Sequence, residues 1–175
     1  MEFAVVCAQV PTQAVSFFPW KNSCQKGCQF EEIDIGSIPL YNQDLDTDCG
    51  PRSVSKGREL ISASDAVLIT LPEFNHSIPG VLKNALDWLS RPAFNSCFLK
   101  KPVLFATITP GPLGGVRAQS HMREVLASML CNLPSVQEIV VTNCASKFSD
   151  GKLQDEPTCK HIQMVMNSFL ELSGI

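Results

Sequence analysis

The chain has 175 residues, of which 45% are hydrophobic and 18% charged, and its formal net charge is -3. This length predicts a single domain over residues 1–175, and the hydrophobic fraction excludes intrinsic disorder. The slightly acidic balance argues against a nucleic-acid partner, which would require a basic surface. No segment approaches the roughly 20 apolar residues of a membrane-spanning helix, and the N-terminus lacks the basic start of a secretory signal. We therefore expect no membrane association and a cytoplasmic location.

Five short segments rich in β-branched residues or Phe predict strands. They are Phe3–Ala8, Phe30–Ile35, Ala66–Leu71, Val103–Thr109 and Glu138–Thr142. Three of them are continuously apolar, which is typical of strands that are covered on both faces of a parallel sheet. The sequence therefore favours a parallel sheet buried between layers of helices.

Helical patterns lie between and after these strands. Apolar residues recur at three- and four-residue steps over Ile78–Leu89, Met122–Leu130 and Ile162–Leu170, which predicts helices with one apolar face. The pattern around Val54–Ala63 is weaker, and Gly57 interrupts it. The alternation of strands and helices predicts a three-layer α/β fold with helices on both faces of the sheet. Five strands in this length favour the flavodoxin-like order 2-1-3-4-5.

In such a sheet, ligands bind beyond the carboxyl ends of the strands, here at the loops after the first, third and fourth strands. The loop after the third strand is stiffened by Pro72 and Pro79. Ser77 is expected to cap the next helix. The loop Thr109–Gly115 is rich in Gly and Pro, so its backbone could approach a ligand closely. The helix that begins near Gly115 would point its positive end into the same crevice. Each loop alone is also compatible with ordinary turn chemistry.

One of these loops and the helix after it have a familiar sequence. Pro72–Trp88 reads PEFNHSIPGVLKNALDW and resembles the flavin loop and following helix of the NADPH-dependent FMN reductase family, the flavodoxin-like quinone, chromate and azo-dye reductases. Phe74 stands where that family usually has Tyr. The segments Ile38–Leu45, Thr109–Gln119 and Asp150–Leu153 also agree. The resemblance covers roughly residues 29–172.

The first 28 residues depart from the family pattern. The family has a Gly-Ser-x-Arg-x-x-Ser-x-Asn loop for the FMN phosphate, whereas Ala8–Ser16 contains no Gly or Arg, and Pro11 has no N–H. Each hydrogen bond to a charged group contributes about 1.5–3 kcal/mol, so losing two or three would weaken FMN binding by orders of magnitude. Thr12, Ser16 and backbone N–H groups are the candidates to compensate, and Lys21 is the nearest cation. The first helix is expected to be short.

The resemblance implies a flavoprotein that uses FMN and NAD(P)H, with a hydride passing from the nicotinamide to the flavin and electrons then passing to a small acceptor. The flavin carries the chemistry, so no catalytic side chain and no metal are expected. The backbone N–H groups of residues 73–75 would stabilise the reduced flavin. The implied cofactor-binding residues are Pro72, Glu73, Phe74, Asn75, Thr109, Pro110, Gly111 and Gly114, with Thr12 at the phosphate and His76 toward the substrate.

Several side chains keep two interpretations. Glu73 is either a ligand contact or a solvated loop carboxylate, and His76 either contacts the substrate or is merely exposed. Trp20 either covers the site or packs in the core. Trp88 is read as a core or subunit-contact residue, and Arg117 and Arg123 as solvated or subunit-contact residues. The family forms dimers or tetramers whose interface borders the flavin, so the resemblance implies a homodimer or homotetramer.

The eight cysteines are scattered, and none forms a Cys-x-x-Cys motif. Cys24 and Cys28 stand four residues apart, but no histidine or second cysteine pair completes a metal-ligand set. We expect free thiols, mostly buried as small apolar side chains, as in a reducing compartment.

Three functions remain open on the sequence. The first is an FMN-dependent NAD(P)H oxidoreductase that passes electrons to a quinone-like or other small acceptor. The second is a non-catalytic flavodoxin-like relative that has lost FMN phosphate binding and acts as a binding or scaffold module. The third is a flavodoxin-type electron carrier, although a net charge of -3 is modest for a protein that docks through a charged patch.

Overall fold

The computed structural model describes residues 1–8, 20–23, 27–47, 50–149 and 151–175. Within these residues, five parallel strands form one sheet in the order β2-β1-β3-β4-β5. The strands are β1 (Glu2–Cys7), β2 (Gln29–Ile33), β3 (Ala66–Leu71), β4 (Val103–Ile108) and β5 (Ile139–Val141). The predicted flavodoxin-like order is therefore confirmed.

Helices cover both faces of this sheet. They are α1 (Trp20–Ser23), α2 (Arg52–Ala63), α3 (Gly80–Leu89), α4 (Val116–Ser128), α5 (Cys144–Lys147) and α6 (Glu156–Ser173). Helices α2, α3 and α4 share one hydrophobic cluster with one face of the strands, and α1, α5 and α6 share a second cluster with the other face. Strand residues alternate between the clusters: Val67 and Ile69 lie in the first and Leu68 in the second. Among the helices described, none has the length and hydropathy needed to cross a bilayer.

Strand β2 ends earlier than the sequence predicts. The Asp34 side chain accepts a hydrogen bond from the Gly36 N–H at 3.1 Å, and this starts a 3₁₀ turn over Ile35–Ser37. A short polar side chain that bonds the backbone two residues on competes with strand pairing. Ile35 therefore belongs to the core but not to the strand.

Gly57 marks a close approach between elements. A Cβ atom at this position would lie 3.0 Å from Leu89 Cδ2 and 3.5 Å from Ile33 Cγ2. The glycine that interrupts the helical pattern therefore lets α2 pack closely against α3 and β2. Its weak helix propensity is offset by this packing.

The connection after β2 is anchored on α3. Asn84 Oδ1 accepts a hydrogen bond from the Tyr41 N–H at 2.8 Å, and Asn84 Nδ2 donates to the Pro39 carbonyl at 2.9 Å. The Trp88 indole N–H also donates to the Pro39 carbonyl, and the Trp88 ring meets Tyr41 edge-on at 4.9 Å. Trp88 is fully buried, so its interpretation as a core residue is confirmed.

Trp20 is likewise a core residue. Its indole is buried in the second cluster and donates a hydrogen bond to Thr70 Oγ1 at 3.1 Å. The packing interpretation of Trp20 is therefore confirmed. The helical turn that carries it has four residues, in keeping with the short first helix that the sequence predicts.

The expectation of free thiols is wrong for Cys28, which is disulfide-bonded. Cysteine pairing depends on proximity in space, which the scattered spacing does not reveal. The cysteines described as free are Cys7, Cys97, Cys131, Cys144 and Cys159. Burial raises the pKa values of Cys7 and Cys131 to about 12, so these thiols stay protonated at neutral pH. Cys24 and Cys49 lie outside the described residues.

A two-stranded antiparallel hairpin, β6 (Phe148–Ser149) and β7 (Lys152–Leu153), precedes α6. Strands of two residues are too short for a periodic signal, so the sequence does not predict them. After the hairpin, Asp155 caps α6: its Oδ2 accepts hydrogen bonds from the Thr158 N–H and the Thr158 hydroxyl. These hydrogen bonds, above all the one from the hydroxyl, hold the Asp155 pKa below its ordinary value of 3.8.

We predict a pH-dependent role for this cap. Asp155→Ala should lower the melting temperature by a few degrees at neutral pH. Because the folded-state pKa is depressed, the stabilisation by the carboxylate is complete above pH 3.8 and is lost as the pH falls through the lower folded value. The difference in melting temperature between Asp155→Ala and wild type should therefore narrow in acid. Thermal melts monitored by circular dichroism over a pH series measure it.

Two variants complete this test. Asp155→Asn keeps a capping oxygen without a titrating charge, so its loss of stability relative to wild type should be smaller at neutral pH and should also narrow in acid. Its advantage over Asp155→Ala should stay nearly constant with pH, because neither side chain titrates. Glu171→Ala, an exposed acid near the other end of α6, is the matched control and should leave the melting temperature unchanged. A wild-type advantage over Asp155→Ala that persists undiminished in strong acid contradicts the prediction.

Candidate functional site

The segments after β3 and β4 leave the same edge of the sheet, because these strands pair in parallel and end side by side at Leu71 and Thr107–Ile108. The sequence places the candidate site at this edge. The third predicted contributor, the loop after β1, falls largely outside the described residues. Thr12, the predicted phosphate contact, is part of that loop and lies outside the described residues.

The loop after β3 is a tight hairpin. The Phe74 N–H donates to the Ser77 carbonyl and the Ser77 N–H donates to the Phe74 carbonyl, both at 3.0 Å. Asn75 and His76 form the turn with φ values of 49° and 63°. Two left-handed residues in succession define a type I′ turn, and Asn tolerates this conformation better than most residues. The Phe74 N–H is consequently engaged, and the sequence-based expectation that it bonds a ligand is wrong.

Ser77 is not the cap of α3. That helix begins at Gly80 after Pro79 and has no side-chain cap. Instead, Ser77 Oγ lies 2.9 Å from His121 Nδ1, on the second turn of α4. Pro79 stands at the capping position of α3, and a proline side chain has no oxygen that could accept a hydrogen bond from the first turn. Ser77 therefore links the hairpin to a different helix from the one predicted.

Glu73 makes a second link to the same helix. Its Oε2 atom accepts hydrogen bonds from the Arg117 N–H at 3.0 Å and the Ala118 N–H at 3.1 Å. Its side chain is only 16% exposed. The carboxylate is therefore not solvated, and it occupies the positive end of α4 that the sequence assigns to a ligand. No spacing signal could reveal this contact, since 44 residues separate Glu73 from Arg117.

Two basic side chains lie at longer range from the second oxygen of Glu73. His76 Nδ1 lies 3.7 Å and Arg117 NH1 lies 3.8 Å from Glu73 Oε1. His76 is largely exposed at the tip of the hairpin, which suits its predicted place beside a substrate and equally an exposed role. Arg123 belongs elsewhere: it pairs with Glu138 at 3.2 Å.

The loop after β4 is held by the segment that follows β5. The Thr109 N–H donates to the Val141 carbonyl at 3.0 Å, and the Cys144 N–H donates to the Thr109 carbonyl at 3.1 Å. The Asn143 N–H donates to the Gly111 carbonyl at 3.2 Å. Thr109 is buried and its hydroxyl bonds the Gly111 carbonyl within the same loop, whereas Pro110 is exposed. The loop is thus fixed before any ligand binds.

The glycines of this loop have different roles. Gly114 has φ +67°, and a Cβ there would lie 2.1 Å from Val140 Cγ1. Packing against the β5 strand therefore requires this glycine, independently of any ligand. A Cβ at Gly111 would meet nothing within 4 Å, so this glycine borders open space.

Comparison with known proteins shows to which family this chain belongs. Residues 19–146 match the family model of the NADPH-dependent FMN reductases. The chain belongs to this family. A 2-hydroxy-1,4-benzoquinone reductase from a Burkholderia species is 38% identical over 141 residues, which cover 80% of this chain and 76% of that protein. A quinone reductase of Escherichia coli K12 is 38% identical over 141 residues, covering 78% of this chain and 74% of the relative.

A solved structure agrees with these relatives. FerB, a flavoenzyme NAD(P)H:(acceptor) oxidoreductase from Paracoccus denitrificans, superposes with a TM-score of 0.85 at 29% identity, covering 99% of this chain and 97% of that one. The resemblance seen in the sequence is confirmed, and with it an oxidoreductase that uses FMN and NAD(P)H. Nothing in the comparisons favours the non-catalytic alternative. The family match begins at residue 19 and so leaves out the atypical loop after β1.

The geometry of this FMN reductase fits the ring of the flavin. Within the described part of the chain, the N–H groups of Glu73 and Asn75 have no hydrogen-bond acceptor, so two backbone donors remain on a rigid loop. The opposite loop offers the open approach at Gly111. A flat heterocycle with carbonyl and imine acceptors along one edge matches two such donors beside an open backbone.

A matched glycine pair tests this assignment. Gly114→Ala should lower the free energy of unfolding by about 2–4 kcal/mol, because it adds left-handed strain to an overpacked contact. Gly111→Ala should change it by less than about 0.5 kcal/mol, since φ there lies outside the left-handed region and the added methyl has room. Urea unfolding followed by circular dichroism measures both.

The same pair separates packing from ligand approach. If the ring lies against Gly111, Gly111→Ala should weaken FMN binding at unchanged stability, as measured by quenching of flavin fluorescence. FMN affinity equal to wild type in Gly111→Ala would place the ring away from this residue.

Proposed function

We propose that this FMN reductase transfers electrons from NAD(P)H through FMN to a quinone-like or other small acceptor. The observation that supports this proposal most directly is the pair of braced loops at the ends of β3 and β4, which leave two backbone donors and an open approach between them. The curated relatives described above are named as quinone reductases. A quinone is a flat acceptor that can stack where the nicotinamide stacks.

FMN and the residues of the chain have separate roles in the proposed reaction. When bound, FMN supplies the redox chemistry by accepting a hydride and returning electrons to the acceptor. The N–H groups of Glu73 and Asn75 would bind the edge of the ring and favour negative charge there. Pro72 is buried, and Phe74 is exposed. These two residues would shape the apolar border of the site, while Thr109, Pro110 and Gly111 would form its opposite wall.

The phosphate end of FMN is proposed to lie at the segment after β1. The atypical sequence of residues 9–28 contains Thr12, the hydroxyl residue that we propose for phosphate binding. Since Glu73 already occupies the N-terminus of α4, that helix end is not available to the phosphate, which also favours the segment after β1. The absence of a Gly-Ser-x-Arg loop predicts weaker phosphate recognition than in relatives that carry it.

Titration of the purified full-length protein with FMN and with riboflavin tests both parts of this proposal. We expect quenching of flavin fluorescence at micromolar FMN, and oxidation of NADPH that depends on added FMN and benzoquinone. Riboflavin lacks the phosphate, so the ratio of the two dissociation constants reports phosphate recognition alone. Equal constants would show that the segment after β1 contributes nothing.

Absence of FMN binding and of NADPH oxidation at high micromolar FMN would contradict the proposed function and favour the scaffold alternative. Grafting a Gly-Ser-x-Arg loop after β1 would then show whether the phosphate loop alone is at fault.

We also propose a homodimer or homotetramer whose interface borders the flavin site. Several large apolar side chains near the two loops are exposed in the single chain: Phe74, Val81, Leu113 and Val116. Such a group is typical of a protein–protein contact. The proposal includes a cytoplasmic location, because the reduced nicotinamide coenzymes are held inside cells.

Leu113→Glu should convert the oligomer to monomers, because a buried unpaired carboxylate is costly at an interface. Light scattering after size exclusion measures the mass. Leu172→Glu is the matched control, since Leu172 is similarly exposed, at 58% against 62% for Leu113, but lies at the far end of α6. A wild-type protein that elutes as a monomer, or a Leu113→Glu oligomer of unchanged mass, contradicts this proposal.

A further inference from the structure

We propose that Glu73 is a positioning residue for the flavin: by capping α4, its carboxylate holds the backbone donors of the loop after β3 in the orientation that receives the ring. This inference rests on the proposed function, because it takes that loop as the flavin loop. It concerns a side chain that the sequence assigns either to direct ligand contact or to solvent.

The capping position of α4 itself lacks a side chain. Gly115 stands there with φ +83°, and a Cβ would lie 3.1 Å from Thr107 Cβ. Strand β4 thus leaves little room at this position for the Ser, Thr, Asp or Asn that usually caps a helix. Glu73 supplies the missing acceptor from the neighbouring loop and bonds two N–H groups of the first turn. A carboxylate at this end is also favoured by the helix dipole.

The hairpin is consequently fastened at both ends to one rigid element. Glu73 binds the first turn of α4, and Ser77 binds His121 one turn further along. Between these anchors, the two hairpin hydrogen bonds fix Phe74 relative to Ser77. The N–H groups of Glu73 and Asn75, which have no acceptor among the described residues, therefore belong to a loop whose orientation is set by α4. Donors that are already oriented bind a ligand without the entropic cost of ordering the loop.

Two substitutions at Glu73 and one control separate positioning from general stability. Glu73→Ala removes the cap, whereas Glu73→Gln keeps an oxygen that can accept the same N–H groups. Glu138→Ala removes a different ion pair of α4, the one with Arg123, far from the hairpin in sequence. FMN dissociation constants are measured by fluorescence quenching. Hydrogen exchange of the Arg117 and Ala118 amides is measured in flavin-free protein.

We expect Glu73→Ala to weaken FMN binding about tenfold or more, because a loop that is no longer held by the cap must be ordered when the ring binds. Exchange of the two α4 amides should accelerate in the same variant without flavin. Glu73→Gln should restore most of the affinity and the protection, and Glu138→Ala should match wild type in both measurements. Rescue by Gln identifies the capping oxygen as the group that acts, and a loss of FMN affinity that accompanies the faster amide exchange shows that the cap orients the donors.

The outcomes are distinguishable. Wild-type protein that binds no FMN contradicts the proposed function and removes the basis of this inference. Wild-type protein that binds FMN, together with a Glu73→Ala variant of equal affinity, overturns the positioning role alone. Faster amide exchange in Glu73→Ala with unchanged FMN affinity would also overturn it, since the cap would then stabilise the helix without orienting the donors. A Glu73→Gln variant with the same low FMN affinity as Glu73→Ala would also overturn the positioning role.

Discussion

The contact between the Glu73 carboxylate and the first turn of α4 joins two parts of the molecule that come from different strands. It connects the end of β3 to the helix that follows β4, at the edge of the sheet where the topology places a ligand. The Ser77–His121 contact repeats this connection one helical turn away. These links add to the hairpin's own hydrogen bonds and to the burial of Pro72 and Ile78 in fixing the loop after β3. The walls of the proposed flavin site are therefore braced against each other by the protein itself.

This arrangement suits chemistry that the cofactor performs. A flavin enzyme needs the protein to hold a flat ring, to leave one face of it open and to place dipoles where negative charge develops. None of these tasks requires an acid–base pair, and the loops use mainly backbone groups. The same carboxylate that braces the site fills the helix end at which an anion would otherwise bind. Under the proposed function, recognition of the phosphate then depends on the region in which this chain departs from its family.

The sequence predicts the fold well where periodicity is strong. The strands Ala66–Leu71 and Val103–Ile108 and helix α3 lie close to their predicted bounds, because buried parallel strands and one-sided helices leave clear hydrophobic patterns. The family of the chain also follows from local sequence, since the stretch after β3 is long and specific. Short elements such as the β6–β7 hairpin have no such signal.

The details of the site are less predictable, because they depend on contacts between distant residues. Which strands lie side by side determines three of these contacts. They are the contact of Ser77 with His121, the cap that Glu73 supplies to α4, and the packing of Gly114 against Val140. Ser77 illustrates the error, because the sequence assigns it to the wrong helix. Gly114 illustrates a missing neighbour, because the sequence does not reveal that Val140 leaves no room for a Cβ there.

The two tryptophans of the chain lie on opposite faces of the sheet. Trp20 belongs to the cluster beneath α6, and its indole N–H meets Thr70 immediately before the loop that carries Glu73, whereas Trp88 lies in the cluster beneath α2 and α3. Indole emission overlaps the absorption of an oxidised flavin, so each face carries its own optical probe. A pair of single-tryptophan variants would let emission from one side of the sheet be followed separately from the other. The tryptophans thus allow changes at each face of the sheet to be followed over time by fluorescence without an attached dye.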